Sequence, residues 1–190
     1  GILAKKMGLP LLHFVASTNS NDTVPVFMKS GEYKAKPSVA TLSNAMDVGN
    51  PSNFTRIVEL YEHNFEQLAH DFSSWSYSDE DTVQAMQTIY NSTKYIAEPH
   101  GAVGYLGLKN YLKTNPNTIG VFLETAHPVK FLEEVESILN IKLDIPNDIA
   151  ELLKKEKHSI LIQNYFEDQL EDLENNNYNL TLRNPFIMSS

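Results

Sequence analysis

Hydrophobic residues along the chain follow two alternating periods. Gly1–Met7 reads as the second half of a helix, closed by Gly8 with Pro10 just beyond it. Leu11–Ala16 is an apolar run of strand length that empties into the polar cluster Ser17–Asp22. Asn21 or Asp22 is placed to cap a helix that runs through Met28 and stops at Gly31. From Tyr33 to Asn53 periodicity is lost among Pro37, Gly49 and Pro51, which predicts a long loop. Helical spacing returns from about Ser52 to Phe72. A sharper helix starts at Ser78, where Ser-Asp-Glu-Asp supplies a cap and first-turn acids, and Val83, Met86, Ile89, Tyr90 and Ile96 share one face.

The second half repeats the alternation. Glu98-Pro99-His100-Gly101 interrupts the chain before a helix through Leu112, and Asn115-Pro116-Asn117 forms a turn. In Thr118–Glu124 the positions Ile119, Val121 and Leu123 alternate, predicting a second strand. Thr125-Ala126-His127-Pro128 ends it, with Pro128 at a first helical position ahead of the stripe Val129, Leu132, Val135, Ile138 and Leu139. Beyond Pro146 a helix to about Lys157 and an acidic helix over Phe166–Asn175 lead into a tail. The expected architecture is one α/β unit over 1–190, with parallel strands and flanking helices, divided into a site-bearing region of roughly 1–145 and C-terminal helices and tail over 146–190.

Composition narrows the possible functions. Fifteen basic against 24 acidic residues give a formal charge of −9. The basic residues are scattered, which argues against nucleic acid as a partner, because phosphate binding draws on clustered Lys and Arg. The longest apolar run, Leu9–Ala16, is about half of the roughly 18 residues of a membrane span, so no membrane partner is expected. Absence of cysteine removes disulfides, thiolate metal sites and thiol nucleophiles, and suits a reducing, cytoplasmic setting. Sequons at Asn21, Asn53, Asn91 and Asn179 are read as chance in an Asn-rich chain.

No metal site is expected either. His63 and Glu66 are three apart and would share a helical face, but they supply two ligands at most, and the remaining histidines lack ligand spacing. Nucleophile elbows and glycine-rich phosphate loops are absent. Three polar breaks beside regular elements remain: Ser17–Asp22, Glu98–Gly104 and Thr125–Pro128. In α/β sheets ligands sit outside the carboxyl ends of strands, where the first and third of these fall.

The wording of these breaks is distinctive. Ala16-Ser17-Thr18-Asn19-Ser20-Asn21-Asp22-Thr23-Val24-Pro25, then Ala40–Val48 with Pro51-Ser52-Asn53-Phe54, then Glu98–Tyr105 and Thr125–Phe131, resemble in order four motifs of the threonine synthase family. The resemblance implies a pyridoxal-phosphate lyase of the tryptophan-synthase-β structural class (fold type II), which forms threonine and phosphate from O-phosphohomoserine and water. It implies that Thr125 hydrogen-bonds the cofactor's pyridine nitrogen, and that Asn19, Asn21, Glu98 and His100 line the cofactor cleft. His127 is either a helix-start residue or a ligand. Glu124 departs from the small residue the family more often carries before the Thr, and its side chain is expected to point away from the ring nitrogen.

Two family features have no counterpart. None of the lysines, from Lys5 to Lys157, sits in the Ser-Phe-Lys-Asp context of the Schiff-base lysine, so no catalytic residue is assigned. The Gly-Asn-rich phosphate loop at a helix N-terminus is missing as well. Gly1–Met7 matches the end of the helix that follows that loop. The expectation is a C-terminal fragment of the enzyme that neither binds pyridoxal phosphate nor turns over alone, whose partner is the missing N-terminal part and which can self-associate through uncovered apolar surface. The alternatives are a related pyridoxal-phosphate lyase with another substrate and a stand-alone, non-catalytic α/β binding module.

Overall fold

The computed structural model describes residues 1–156. They fall into two compact units, Gly1–Asp144 and a second that begins at Ile145.

The first unit is organised about a short parallel pair of strands. After α1 (Ile2–Lys6) and the left-handed Gly8, β1 covers Phe14–Thr18. It begins later than the sequence pattern predicts, because its limits are set by pairing in register with β2 (Phe72–Ser76), from Phe14 opposite Phe72 to Thr18 opposite Ser76. The sequence reading has no β2. Phe-Ser-Ser-Trp-Ser lacks an apolar alternation, and what makes it a strand is the neighbouring ladder together with the Ser74 hydroxyl, which donates to the Ala16 carbonyl at 2.7 Å.

Between the strands lie α2 (Thr23–Ser30), stopped by the left-handed Gly31, the long loop, α3 (Phe54–Leu60) and α4 (Phe65–Asp71). The helical spacing over 52–72 thus belongs to two helices. They are separated by Glu62 and His63 at positive φ, and this turn takes His63 off the helical face it was expected to share with Glu66. Its imidazole contacts Glu59 at 3.0 Å instead. Phe27, Phe54, Tyr61 and Leu68 form one apolar cluster here.

The second cluster lies between α5 (Asp79–Thr93), α6 (Pro99–Thr114) and α7 (Leu132–Leu139), where Ala85, Met86, Ala102, Val135 and Leu139 are buried together. Ser78 and Asp81 close a reciprocal capping box at the start of α5. Ile96 follows α5 rather than lying on it, yet packs against the same cluster. The predicted strand over Thr118–Glu124 has no ladder partner among the described residues. Its alternation persists as burial: Ile119, Val121 and Leu123 are 99, 80 and 75 % exposed, while Phe122 and Glu124 face inward. Pro128 opens a 3-10 turn, Pro128–Phe131, that leads into α7.

In the second unit α8 spans Asn147–Leu153. The acidic segment Phe166–Asn175 lies outside the described residues. No helix among the described residues is long and apolar enough to cross a membrane.

α6 crosses β1 at close range because Gly107 stands at the crossing. A carbon added there would fall 1.8 Å from the Ser17 hydroxyl and 3.0 Å from Val15 Cγ1. Gly107→Ala is expected to cost about 1–3 kcal/mol in urea unfolding through overpacking, and adding Ser17→Gly should recover part of that loss. Independent, additive effects of the two changes would contradict the close approach.

Candidate functional site

The carboxyl end of β1 delivers Asn19 to a buried position, 1 % exposed. Its amide nitrogen donates to the Thr41 hydroxyl at 2.7 Å and to Asp47 Oδ1 at 2.9 Å, with Ser43 oxygens at 3.2 and 3.3 Å. Its amide oxygen accepts from the backbone and side-chain nitrogens of Asn21, both at 2.9 Å. Asn21 in turn reads the peptide of Val39 as a strand would, donating to its carbonyl at 2.9 Å and accepting from its N–H at 2.8 Å. Thr23, in the first turn of α2, donates to the Gly49 carbonyl at 2.7 Å. Three side chains of one short segment thus clasp the loop over 39–49, whose residues have no helix or sheet of their own beyond the turn Asn44–Met46. Asp22 begins α2, but its carboxylate pairs with Lys36 at 2.6 Å rather than capping the helix.

Glu98 holds the same loop from the other side. It is fully buried and caps α6, with Oε1 accepting from the Gly101 N–H at 2.9 Å and Oε2 from the His100 N–H at 3.0 Å. Oε2 also meets His100 Nδ1 at 2.5 Å. The far nitrogen, Nε2, accepts the backbone N–H of Ala45 at 3.0 Å. An acceptor at Nε2 and a carboxylate at Nδ1 place the single imidazole proton on Nδ1. The ring stacks obliquely on Phe131, 4.8 Å between centroids. A third tie comes from Asp79, which accepts the Leu42 N–H at 3.1 Å.

Three of the five expected site residues, Asn19, Asn21 and His100, therefore bond directly to one loop, and Glu98 acts on it through His100, its own oxygens taken by the first turn of α6 and the imidazole. Thr125 stands apart from this network. It is exposed at the end of the extended segment, and its hydroxyl has no hydrogen-bond partner among the described residues. Among the described residues it is the one of the five whose side chain has no partner. His127 is the helix-start residue, its Nδ1 accepting the Val129 N–H at 3.2 Å. Glu124 faces inward with both carboxyl oxygens buried and unpartnered. Its pKa is pushed up to about 7, first by burial and then by the nearby Glu98 charge.

Thr41, Asp47 and Asp79 belong to the arrangement and were not singled out from sequence. Thr41 and Asp47 lie in the motif Ala40–Val48, within a loop too long to be a simple connection, and Asp79 carries only the signal of a first-turn helix acid.

A family model described as "Threonine synthase, C-terminal" matches residues 101–174. The threonine synthase of Haemophilus influenzae is 51% identical over 152 residues, which are 78% of this chain and 34% of that protein. That of Escherichia coli is 46% identical over 151 residues, 80% of this chain and 34% of the relative. Among solved structures, threonine synthase from Escherichia coli superposes with a TM-score of 0.85 at 41% identity, covering 93% of this chain and 40% of the other. The PLP-bound threonine synthase from Brucella melitensis gives 0.77 at 22% identity over 91% of this chain and 42% of the other, which speaks for the shared fold. The α/β fold with a parallel sheet and flanking helices is thus the one expected. By these alignments the chain spans about a third of the length of its curated relatives, and over most of its own length it is similar to threonine synthases.

Proposed function

We propose that this chain is the C-terminal part of a pyridoxal-phosphate-dependent threonine synthase, a lyase that takes O-phosphohomoserine and water to threonine and phosphate. The observation that carries the reading is the hydroxyl of Thr125, exposed and without a partner among the described residues, at the position where the family's Thr-Ala-His-Pro motif falls, while the other four expected site residues are already engaged. The rest of the polypeptide supplies the Schiff-base lysine and the phosphate loop.

The residues present fit such a cofactor in one respect that can be named. A neutral hydroxyl offers the pyridine nitrogen a hydrogen bond without an ionic partner, which leaves that nitrogen largely unprotonated. When bound, the cofactor supplies an electron sink for the amino-acid substrate, and the protein's part is orientation and tuning. Thr125 does the tuning. Asn19 and Asn21 hold the loop over 39–49 against β1, Glu98 and His100 hold it against α6, and together they give the cleft a fixed wall. In this reading these four are positioning residues whose effect passes through the loop.

Incubating this chain with pyridoxal phosphate and then borohydride is expected to fix no stoichiometric adduct to any of its lysines; one modified lysine in full yield would refute the division of labour. In the full-length enzyme, Thr125→Val should lower kcat/KM roughly ten- to hundred-fold, as loss of a hydrogen bond of about 1–3 kcal/mol implies. The same change should shift the absorbance of the bound cofactor and leave amide exchange over 39–49 unaltered. Asn19→Ala is expected to do the reverse in exchange, speeding it across 39–49, and to cost about 1–3 kcal/mol of stability by stranding buried partners. Equal exchange profiles for the two variants would remove the distinction between contact and positioning roles.

A further inference from the structure

Among the described residues, Glu124 has a carboxyl with both oxygens buried that the network above leaves unused. Its carboxyl group lies against the bare α-carbon of Gly101, in the first turn of α6: a carbon added to Gly101 would fall 2.1 to 2.3 Å from both oxygens and the carboxyl carbon. The carboxyl thus occupies the space where any other residue would carry its side chain. Both oxygens are shut off from water and neither has a hydrogen-bond donor among the described residues.

Glu98 lies against the same glycine, whose N–H it accepts. Three N–H donors point at the two Glu98 oxygens, from Gly101, from the His100 backbone and from His100 Nδ1. Such a donor set suits a carboxylate anion, because every hydrogen bond is received and none is given. The first-turn N–H groups of α6 near it are satisfied by Glu98, so they offer nothing to a second anion. Two buried carboxyl groups in one place cannot both ionise without an opposing charge.

We propose that Glu124 carries a proton beside an ionised Glu98, and that in this neutral form it is a positioning residue that seats the segment ending in Thr125 on the first turn of α6.

The titratable groups that face it come from the start of α6 and from the connection before it. Glu98 and His100 come from α6, with the His100 proton directed at Glu98. Tyr95 comes from the connection before α6, and its phenol is pushed up by burial and then by Glu124 and Glu98. None of these is a cation placed against Glu124. The glutamate's value of about 7, raised from an ordinary 4.5, agrees with the geometry. Because the folded state holds the proton more tightly than the unfolded chain, this contribution is full below about pH 4.5 and is lost as pH rises through about 7. Above that, an unpaired carboxylate beside Glu98 pushes the Thr125 segment off the helix.

The consequence for Thr125 as a cofactor contact rests on the function proposed above, but the proton does not, and its test needs no cofactor. Infrared spectra of the full-length apo-protein are collected from pH 5 to 9, for the unaltered protein and for Glu124→Gln. The expected result is a protonated-carboxyl carbonyl band that disappears with a midpoint near pH 7 and is missing from Glu124→Gln. Amide exchange over 118–125, corrected for intrinsic rate, should accelerate above pH 7 in the unaltered protein and stay flat in the variant. Absence of the band at pH 5 to 6 would overturn the inference, since it would mean an ionised Glu124 paired with a cation from elsewhere in the polypeptide. A band of unchanged midpoint in Glu124→Gln would also overturn it, by assigning the proton to another group. The band needs only the unaltered protein, so the test survives a variant that does not fold. Threonine synthase activity, present or absent, changes neither readout.

Discussion

Glu98 has no contact with solvent, and the first turn of α6 is what makes a charge there tolerable. A lone buried carboxylate is costly, and the cost is offset only by donors held in place. Here three N–H groups supply them. The imidazole that gives one of these also fixes its own tautomer by doing so, which leaves Nε2 able to receive the Ala45 N–H. The charge of one residue is thereby converted into a hold on a loop more than fifty positions earlier in the chain. From the opposite side the loop is held by neutral amides, Asn19 and Asn21, at the end of β1. A segment without helix or sheet is thus fixed between a strand end and a helix start, the two places where an α/β fold gathers its chemistry.

This dependence explains which parts of the structure were legible in the sequence. Local signals were read correctly where local chemistry decides. Ser78 to Asp81 announced a helix start, Gly31 a helix stop, and Pro128 the first position of a helical turn. β2 was missed because nothing local makes Phe-Ser-Ser-Trp-Ser a strand; its partner β1 does, with Ser74 bonding across to Ala16. Thr118–Glu124 failed in the opposite sense. Its alternation of apolar positions is real, but alternation requires only two faces of different burial, and the segment obtains these by lying on α6, with Gly120 beside Leu108 and Phe122 beside Gly104 and Tyr105.

The site residues divide in the same way. Asn19, Asn21, Glu98 and His100 were picked out by the order and wording of their motifs. That wording does not say that three of these side chains bond the loop directly, that Glu98 does so only through His100, or that nothing is left over. Whether a polar group is free or spent is a property of partners, and partners such as Asp47 and Ala45 are 28 and 55 positions away. Sequence spacing cannot register such pairs unless both ends carry a known signature.

The alternation along the extended segment has one further effect. Successive residues of an extended chain point to opposite sides. Once Phe122 and Glu124 face α6, Thr125 must face away, and its hydroxyl is free for that reason. Phe122 alone would set this register by burying an apolar ring, as many sequences could. Glu124 sets it more narrowly, because its carboxyl fits only over a residue that lacks a side chain, and α6 offers such a place at Gly101. Sliding the segment by two residues would put Phe122 against the buried acid of Glu98, and sliding it by one would expose the phenylalanine and bury Thr125. The pairing of Glu124 with Gly101, together with the burial of Phe122, therefore sets the position from which the threonine hydroxyl is presented.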